Sequence, residues 1–190
     1  MASIDLVTPR LRLRQWRDSD IEPFEVMSND REVMAHFPST LSRDVVETMV
    51  QRQRDFIAEK GYGFWAVEEL ATGAFIGFCG LKDVAFDVPW LPAIETGWRF
   101  AREHWGKGYA TEAGRAAQQY AFETLGVPEI VAFLLPMNER SAQVCERLGM
   151  TRDPSRDFDH PLIADGTISI GGFPQRRHIL YSLKRDHWRK

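Results

Sequence analysis

Nine residues in mid-chain, Trp105-Gly106-Lys107-Gly108-Tyr109-Ala110-Thr111-Glu112-Ala113, have the types and spacing to bind a phosphate. Two glycines one residue apart follow an apolar run, Ala93 to Phe100, and open an alanine-rich stretch of helical period. The first N–H groups of a helix have no intrahelical partner, and the helix dipole places partial positive charge there. Glycines let an anion approach the main chain with no Cβ in the way. The layout points to a pyrophosphate-bearing cofactor held by the backbone from Gly106 to Thr111, with Lys107 adding charge. A dinucleotide fingerprint fails, because its third glycine would fall on Thr111. A P-loop fails too, because Lys107 is followed by Gly108 rather than Ser or Thr. A glycine turn that only shapes a strand–helix corner stays open as the plainer alternative.

The hydrophobic pattern shows which elements must position this loop. Leu11 and Leu13 alternate with Arg12 and Arg14, which predicts a half-buried first strand. Asp18 or Ser19 is placed to cap a short helix running toward Asn29. A second helix follows Ser42, with Val45, Val46, Met49, Val50, Gln53, Phe56 and Ile57 along one stripe. Strands are expected over 64–69, 74–81, 93–100, 130–135 and 178–184, with a hairpin-type turn at Ala71-Thr72-Gly73. The helix after Gly108 should end near Gly126. Asn138 caps a further helix that closes at Leu148-Gly149. Residues 153–175 read as loop. The order is that of an α/β (α+β) chain: a mixed, largely antiparallel central sheet with helices on both faces.

Bulk properties narrow the function classes. At 190 residues, 44% apolar with 12 Phe and 6 Trp, the chain can bury one sizeable core, and 1–190 is expected to be a single domain. A formal charge of −3 with interspersed signs lacks the footprint of a nucleic-acid binder. The two cysteines, Cys79 and Cys145, fit reduced thiols better than a disulfide or metal framework. His36, His104, His160, His178 and His187 are scattered, so no metal site is expected. The chain start is a charged strand rather than a signal peptide, and no apolar run approaches a membrane span. A cytoplasmic location follows as an expectation.

Four segments, in order, carry a family resemblance. They are Leu6-Val7-Thr8-Pro9-Arg10-Leu11-Arg12-Leu13-Arg14 followed by Asp18 to Asp20, Phe75-Ile76-Gly77-Phe78-Cys79-Gly80-Leu81, Ile94 through Ala113, and Asn138-Glu139-Arg140-Ser141 with Glu146-Arg147-Leu148-Gly149-Met150. The chain resembles the GNAT superfamily of acyl-CoA-dependent N-acetyltransferases. Within it, the chain looks like the branch containing the ribosomal-protein N-terminal-alanine acetyltransferases. The resemblance implies a GNAT-type domain that moves an acetyl group from acetyl-CoA to a primary amine by direct transfer in a ternary complex. The acceptor is a protein N-terminus or a small amine. A non-catalytic acyl-CoA-binding protein on the same fold is the alternative. Relatives often dimerise, so a homodimer is also expected.

The resemblance assigns roles residue by residue. The pantetheine arm of acetyl-CoA is expected along Trp98-Arg99-Phe100, pairing with the strand backbone. Its pyrophosphate falls to Gly106, Lys107, Gly108, Tyr109, Ala110 and Thr111. Asn138 is an N-cap that the family also uses to hydrogen-bond the pantetheine amide. Glu95, a carboxylate within an apolar strand, is the candidate base, directly or through water. Pairing with Arg99 or Arg12, or an exposed strand face, is its plainer reading. Ser141 joins Glu95 as the other catalytic candidate, equally open to cofactor contact or an ordinary helical role. Two departures stand out. Glu103 occupies the place of the motif's Gln or Arg, and Cys145 that of the family's tyrosine acid, where a buried apolar cysteine is the plainer reading. Asp157, Asp159 and His160 could meet a cationic amine or simply order their loop.

Overall fold

The computed structural model describes residues 5–161, 169–170, 173–174 and 177–189. The Leu–Arg alternation near the chain start forms the hairpin β1 (Leu6–Val7) and β2 (Leu11–Arg14), but β2 is not half-exposed. Leu11 and Leu13 are fully buried, and so is Arg14. Two carboxylates offset the cost of that buried guanidinium. Arg14 donates from Nη1 and Nη2 to Asp20 Oδ2 and Oδ1 at 2.7 and 2.9 Å, and from Nε to Glu68 Oε2 at 2.7 Å. Burial alone would lower the Arg14 pKa and raise that of Glu68. The hydrogen bonds and charges within the network outweigh it in both cases, so Arg14 is raised and Glu68 lowered.

The same network explains a difference from the sequence expectation at the next helix. Neither Asp18 nor Ser19 caps α1 (Ile21–Asn29); a 3-10 turn, Asp18–Asp20, precedes it. Asp20 turns inward to Arg14 and accepts the Arg17 N–H at 2.8 Å. Asp18 pairs with Arg54 at 2.7 Å. Helix α2 (Arg43–Lys60) follows Ser42 as expected and buries Val46, Val50 and Ile57, while Val45 is exposed.

The chain divides into two units, Met1–Lys82 with Gly97–Ala117, and Asp83–Thr96 with Gln118–Lys190. In the first, β1, β2, β3 (Phe64–Glu69) and β4 (Phe75–Asp83) pair antiparallel in that order. Helix α2 lies against α1 and β3. Trp16, Phe24, Phe64, Phe75 and Phe78 form an aromatic cluster, with ring centroids 5.1–6.2 Å apart. Strand β5 (Ile94–Phe100) gives its last four residues to this unit, and helix α3 (Tyr109–Gln119) gives it all but its last two.

In the second unit the start of β5 pairs in parallel with β6 (Glu129–Leu134), through Ile94–Ile130 and Glu95–Val131. A π-turn, Tyr120–Thr124, follows α3. Helix α4 (Glu139–Arg147) packs on β6. Strand β7 (Thr151–Arg152) comes just before the region expected to be loop, which itself contains a 3-10 turn at Pro154–Arg156 and β8 (Phe158–Asp159). That region also contains the antiparallel pair β9 (Ser169–Ile170) and β10 (Phe173–Pro174). The rest of that expectation, 162–168, 171–172 and 175, lies outside the described residues. Strand β11 (Arg177–Lys184) pairs antiparallel with β6, β7 and β8. Backbone pairing to β11 makes a strand of the two-residue segment Phe158–Asp159, and no local pattern announced it.

The core of this unit is Val84, Val88, Val131, Phe158 and Leu180, flanked by Phe86, Trp90, Ala93 and Phe133. The His160 ring packs 4.3 Å from Phe86 and 5.2 Å from His178. Burial, helped by the His178 charge, pushes its pKa down from 6.5 to about 4. A His that resists protonation when folded withdraws stability as the unfolded chain takes up protons. Stability should therefore be full above pH 6.5 and fall toward about 4. Urea midpoints of wild type and His160→Phe at pH 7.5 and 4.5 check this: the wild type should lose more between the two. Equal losses would contradict it.

Candidate cofactor and catalytic site

The glycine loop lies in the first unit and precedes α3. Gly106 and Gly108 have φ of 73° and 80°, a region that L side chains rarely adopt. A Cβ on Gly106 would meet nothing within 4 Å, and one on Gly108 only Arg10 Nη2 at 3.6 Å. Backbone conformation, not crowding, therefore demands glycine here, and the space above Gly106 is open. Gly106, Lys107 and Gly108 are exposed. The first hydrogen bond of the helical turn runs from Glu112 N–H to the Gly108 carbonyl at 3.0 Å. The N–H groups of Tyr109, Ala110 and Thr111 precede it and are the helix's orphan donors. An anion fits this cradle.

One carboxylate fixes the loop in place. Glu112 accepts from Thr8 Oγ1 at 2.6 Å, from Arg10 N at 3.0 Å and from Arg10 Nε at 2.7 Å. Arg10 Nη1 donates onward to the Lys107 carbonyl at 3.0 Å, inside the loop itself. The Arg10 guanidinium also sits 4.6 Å over the Tyr109 ring, and the Tyr109 hydroxyl donates to Glu69. Burial would raise the Glu112 pKa, but the bonds from Thr8 and Arg10 hold it below the usual carboxylate range. Sequence reading missed this clamp. Its halves lie about a hundred residues apart, and no local periodicity links them.

Strand β5 carries the expected pantetheine segment: Trp98 is half-buried, and Arg99 and Phe100 are buried. The Phe100 carbonyl is taken by the Trp105 indole N–H at 2.8 Å, and Ala101 N–H donates to Ile76 at 3.0 Å. Glu103 is exposed in a 3-10 turn, Arg102–His104. It borders a cleft of about 330 Å³ lined with residues of α1.

The remaining candidates belong to the second unit. Asn138 is an N-cap in fact: its Oδ1 accepts the Ser141 N–H at 3.2 Å. Ser141 is half-buried in the first turn of α4, and Glu95 is half-buried in β5. Cys145 is wholly buried, which pushes its thiol up to about 12. A thiol so weakly acidic would give up a proton uphill to a CoA thiolate of pKa ~8.5, so Cys145 is a core residue and no acid. Asp157 is bonded to Arg152 and to the Leu180 N–H, and Asp159 lies 3.5 Å from Arg177. These carboxylates already have cations or donors. Among the described residues no three ligand-type side chains gather for a metal, and no helix is long and apolar enough to cross a membrane.

Comparison with known proteins gives this arrangement a family. The family model Acetyltransferase (GNAT) domain matches residues 10–151, which include Arg10 and Glu112 of the clamp and the whole loop. The chain belongs to the GNAT acetyltransferase family. It is 38% identical to the uncharacterised protein YkkB of Bacillus subtilis, over 78% of this chain and 86% of that one. Among solved structures it is similar to an acetyltransferase from Agrobacterium tumefaciens, with 26% identity, a TM-score of 0.73 and coverage of 96% and 95%. Ribosomal-protein-S5-alanine acetyltransferase from Vibrio fischeri shares the fold, with a TM-score of 0.72, 18% identity and coverage of 98% and 100%. So does spermidine N-acetyltransferase from Vibrio cholerae, solved with CoA and spermine, with a TM-score of 0.70, 18% identity and coverage of 95% and 98%. The resemblance to the ribosomal-protein acetyltransferase branch thus extends from motifs to fold, with a mixed α/β architecture and a largely antiparallel sheet.

The clamp can be tested without any ligand. Glu112→Ala leaves Arg10 and Thr8 without their shared acceptor. Arg10 is about half exposed, with a side-chain accessibility of 47%, so solvent screening limits the loss. A destabilisation of about 1–2 kcal/mol is expected in urea unfolding. An unchanged midpoint would show that the clamp carries no stability.

Proposed function

We propose that this chain is an acetyl-CoA-dependent N-acetyltransferase acting by direct transfer to a primary amine. The observation that carries the proposal is the exposed glycine cradle before α3, held by Glu112 and Arg10, in a chain of the GNAT family. Acetyl-CoA supplies the acyl group: the amine nitrogen bonds to the thioester carbon, the C–S bond breaks, and CoA leaves as its thiol. The backbone donors of Tyr109 to Thr111, with Lys107, hold the pyrophosphate. The parallel β5–β6 ladder runs through Ile94 and Glu95, ahead of the Trp98–Phe100 segment, which supports leaving that segment to the pantetheine arm. Asn138 commits Oδ1 to its cap, which leaves Nδ2 to donate to a pantetheine carbonyl. Ser141 lies in the same first turn of α4 and contacts that arm.

Glu95 takes the proton that the amine loses as the N–C bond forms. Only the neutral amine attacks, and its pKa is ~8 at a chain terminus or ~10 in a lysine-like group. The departing thiolate, of pKa ~8.5, needs little help from an acid. Cys79 and Cys145 are free and buried, which supports work in a reducing cytoplasm.

Thiol release from acetyl-CoA across a panel of primary amines tests the activity, and calorimetry with CoA tests the cradle. Glu95→Gln should lower kcat about 10²-fold or more while the Kd for CoA stays unchanged. Unaltered turnover at every pH would remove Glu95 as the base. CoA binding without transfer to any amine would leave only a binding protein.

A further inference from the structure

Strand β5 carries a cationic side chain that the acetyl transfer above, which uses only the backbone at this point, leaves without a role. Arg99 is 8% exposed, and its Nε and Nη1 are buried with no hydrogen-bond partner. Among the described residues no carboxylate pairs with it. Its neighbours in the first unit are rings: the guanidinium lies 3.9 Å over Phe37 and 5.4 Å from Phe78. Arg14, the other buried arginine of this unit, is met by both Asp20 and Glu68. Burial pushes Arg99 down to about 10, so it stays a cation at neutral pH. An aromatic face recovers part of the lost hydration but fills no N–H donor. A buried charge with vacant donors lowers stability unless a partner arrives.

We infer that Arg99 receives an oxyanion, the carboxylate of the acceptor, so that the substrate is a primary amine that also bears a carboxylate, such as an amino acid. The inference rests on the N-acetyltransferase reading and narrows its acceptor. A guanidinium donates to carboxylate oxygens through charge-assisted bonds, and desolvation by Phe37 and Phe78 strengthens them. The phosphates of CoA are the other source of such oxygens, but the Gly106–Thr111 cradle with Lys107 already provides for them. The structure also weakens the case for a polycationic acceptor. Asp157 and Asp159, which could have drawn one, are engaged by Arg152, the Leu180 N–H and Arg177.

The test compares L-amino acids with their carboxamides in thiol release, and titrates both series calorimetrically into the CoA-saturated protein. Wild type should favour the acids about 100-fold in kcat/KM, or in affinity where turnover is slow. Arg99→Met, which changes the side chain but not the strand backbone assigned to the pantetheine arm, should erase that preference, and Arg99→Lys should restore part of it. Removal of an unneutralised buried charge should leave the Tm of Arg99→Met at or above wild type, so lost selectivity is separable from misfolding. Equal use and equal binding of acids and amides by wild type would overturn the inference. A weaker CoA affinity in Arg99→Met with unchanged selectivity would overturn it too, by assigning Arg99 to the cofactor's phosphates. Failure of wild type to bind CoA would instead sink the acetyltransferase reading itself.

Discussion

A backbone that binds an anion through its own N–H groups must be held open and held still, and Glu112 does both for the loop before α3. Glycines at positive φ create the cradle, but a glycine backbone is also more pliable than others. Glu112 counters this from within the first turn of α3. It gathers Thr8 Oγ1, the Arg10 amide and the Arg10 guanidinium, while Arg10 reaches back to the Lys107 carbonyl between the two glycines. The hairpin at the chain start is thereby tied to the loop. A carboxylate in the first turn also suits the helix dipole. Preorganisation of this kind reduces the ordering that a ligand must otherwise bring about on binding.

The first unit treats its two buried arginines in opposite ways. Arg14 is enclosed by Asp20 and Glu68 and belongs to the architecture: it joins β2, the turn before α1 and β3. Arg99 is covered by rings and, among the described residues, is met by no carboxylate. Electrostatics separates the roles. A neutralised buried charge fixes geometry, whereas an unneutralised one is stabilised by whatever anion comes to it.

Most of the fold was legible in the sequence, because its elements announce themselves locally. The Leu11–Leu13 alternation, the Gly73 turn, the Asn138 cap and the two-glycine loop all sit where short-range pattern put them. Misreadings arose where a distant partner overrode a local preference. Asp18 and Ser19 are good caps, yet Asp20 and its bond to Arg14 set the entry to α1. Residues 158–159 look like loop, yet β11 draws them into a strand. The candidate site divides the same way. The loop was visible as a motif, whereas the clamp that holds it and the aromatic surroundings of Arg99 depend on contacts that no spacing encodes. Even the part of Asp157 was hidden, since its partners Arg152 and Leu180 lie on other strands.

Anion binding by the loop is measured most directly in the backbone amide NMR spectrum of the protein titrated with CoA and, separately, with pantetheine. If the cradle holds the pyrophosphate, CoA should move the amides of Gly106, Gly108, Tyr109, Ala110 and Thr111 strongly, and pantetheine, which lacks the pyrophosphate, should leave them nearly in place. Loop amides that ignore CoA, while other resonances respond, would contradict the account. The two glycines would then be a corner in the chain and nothing more.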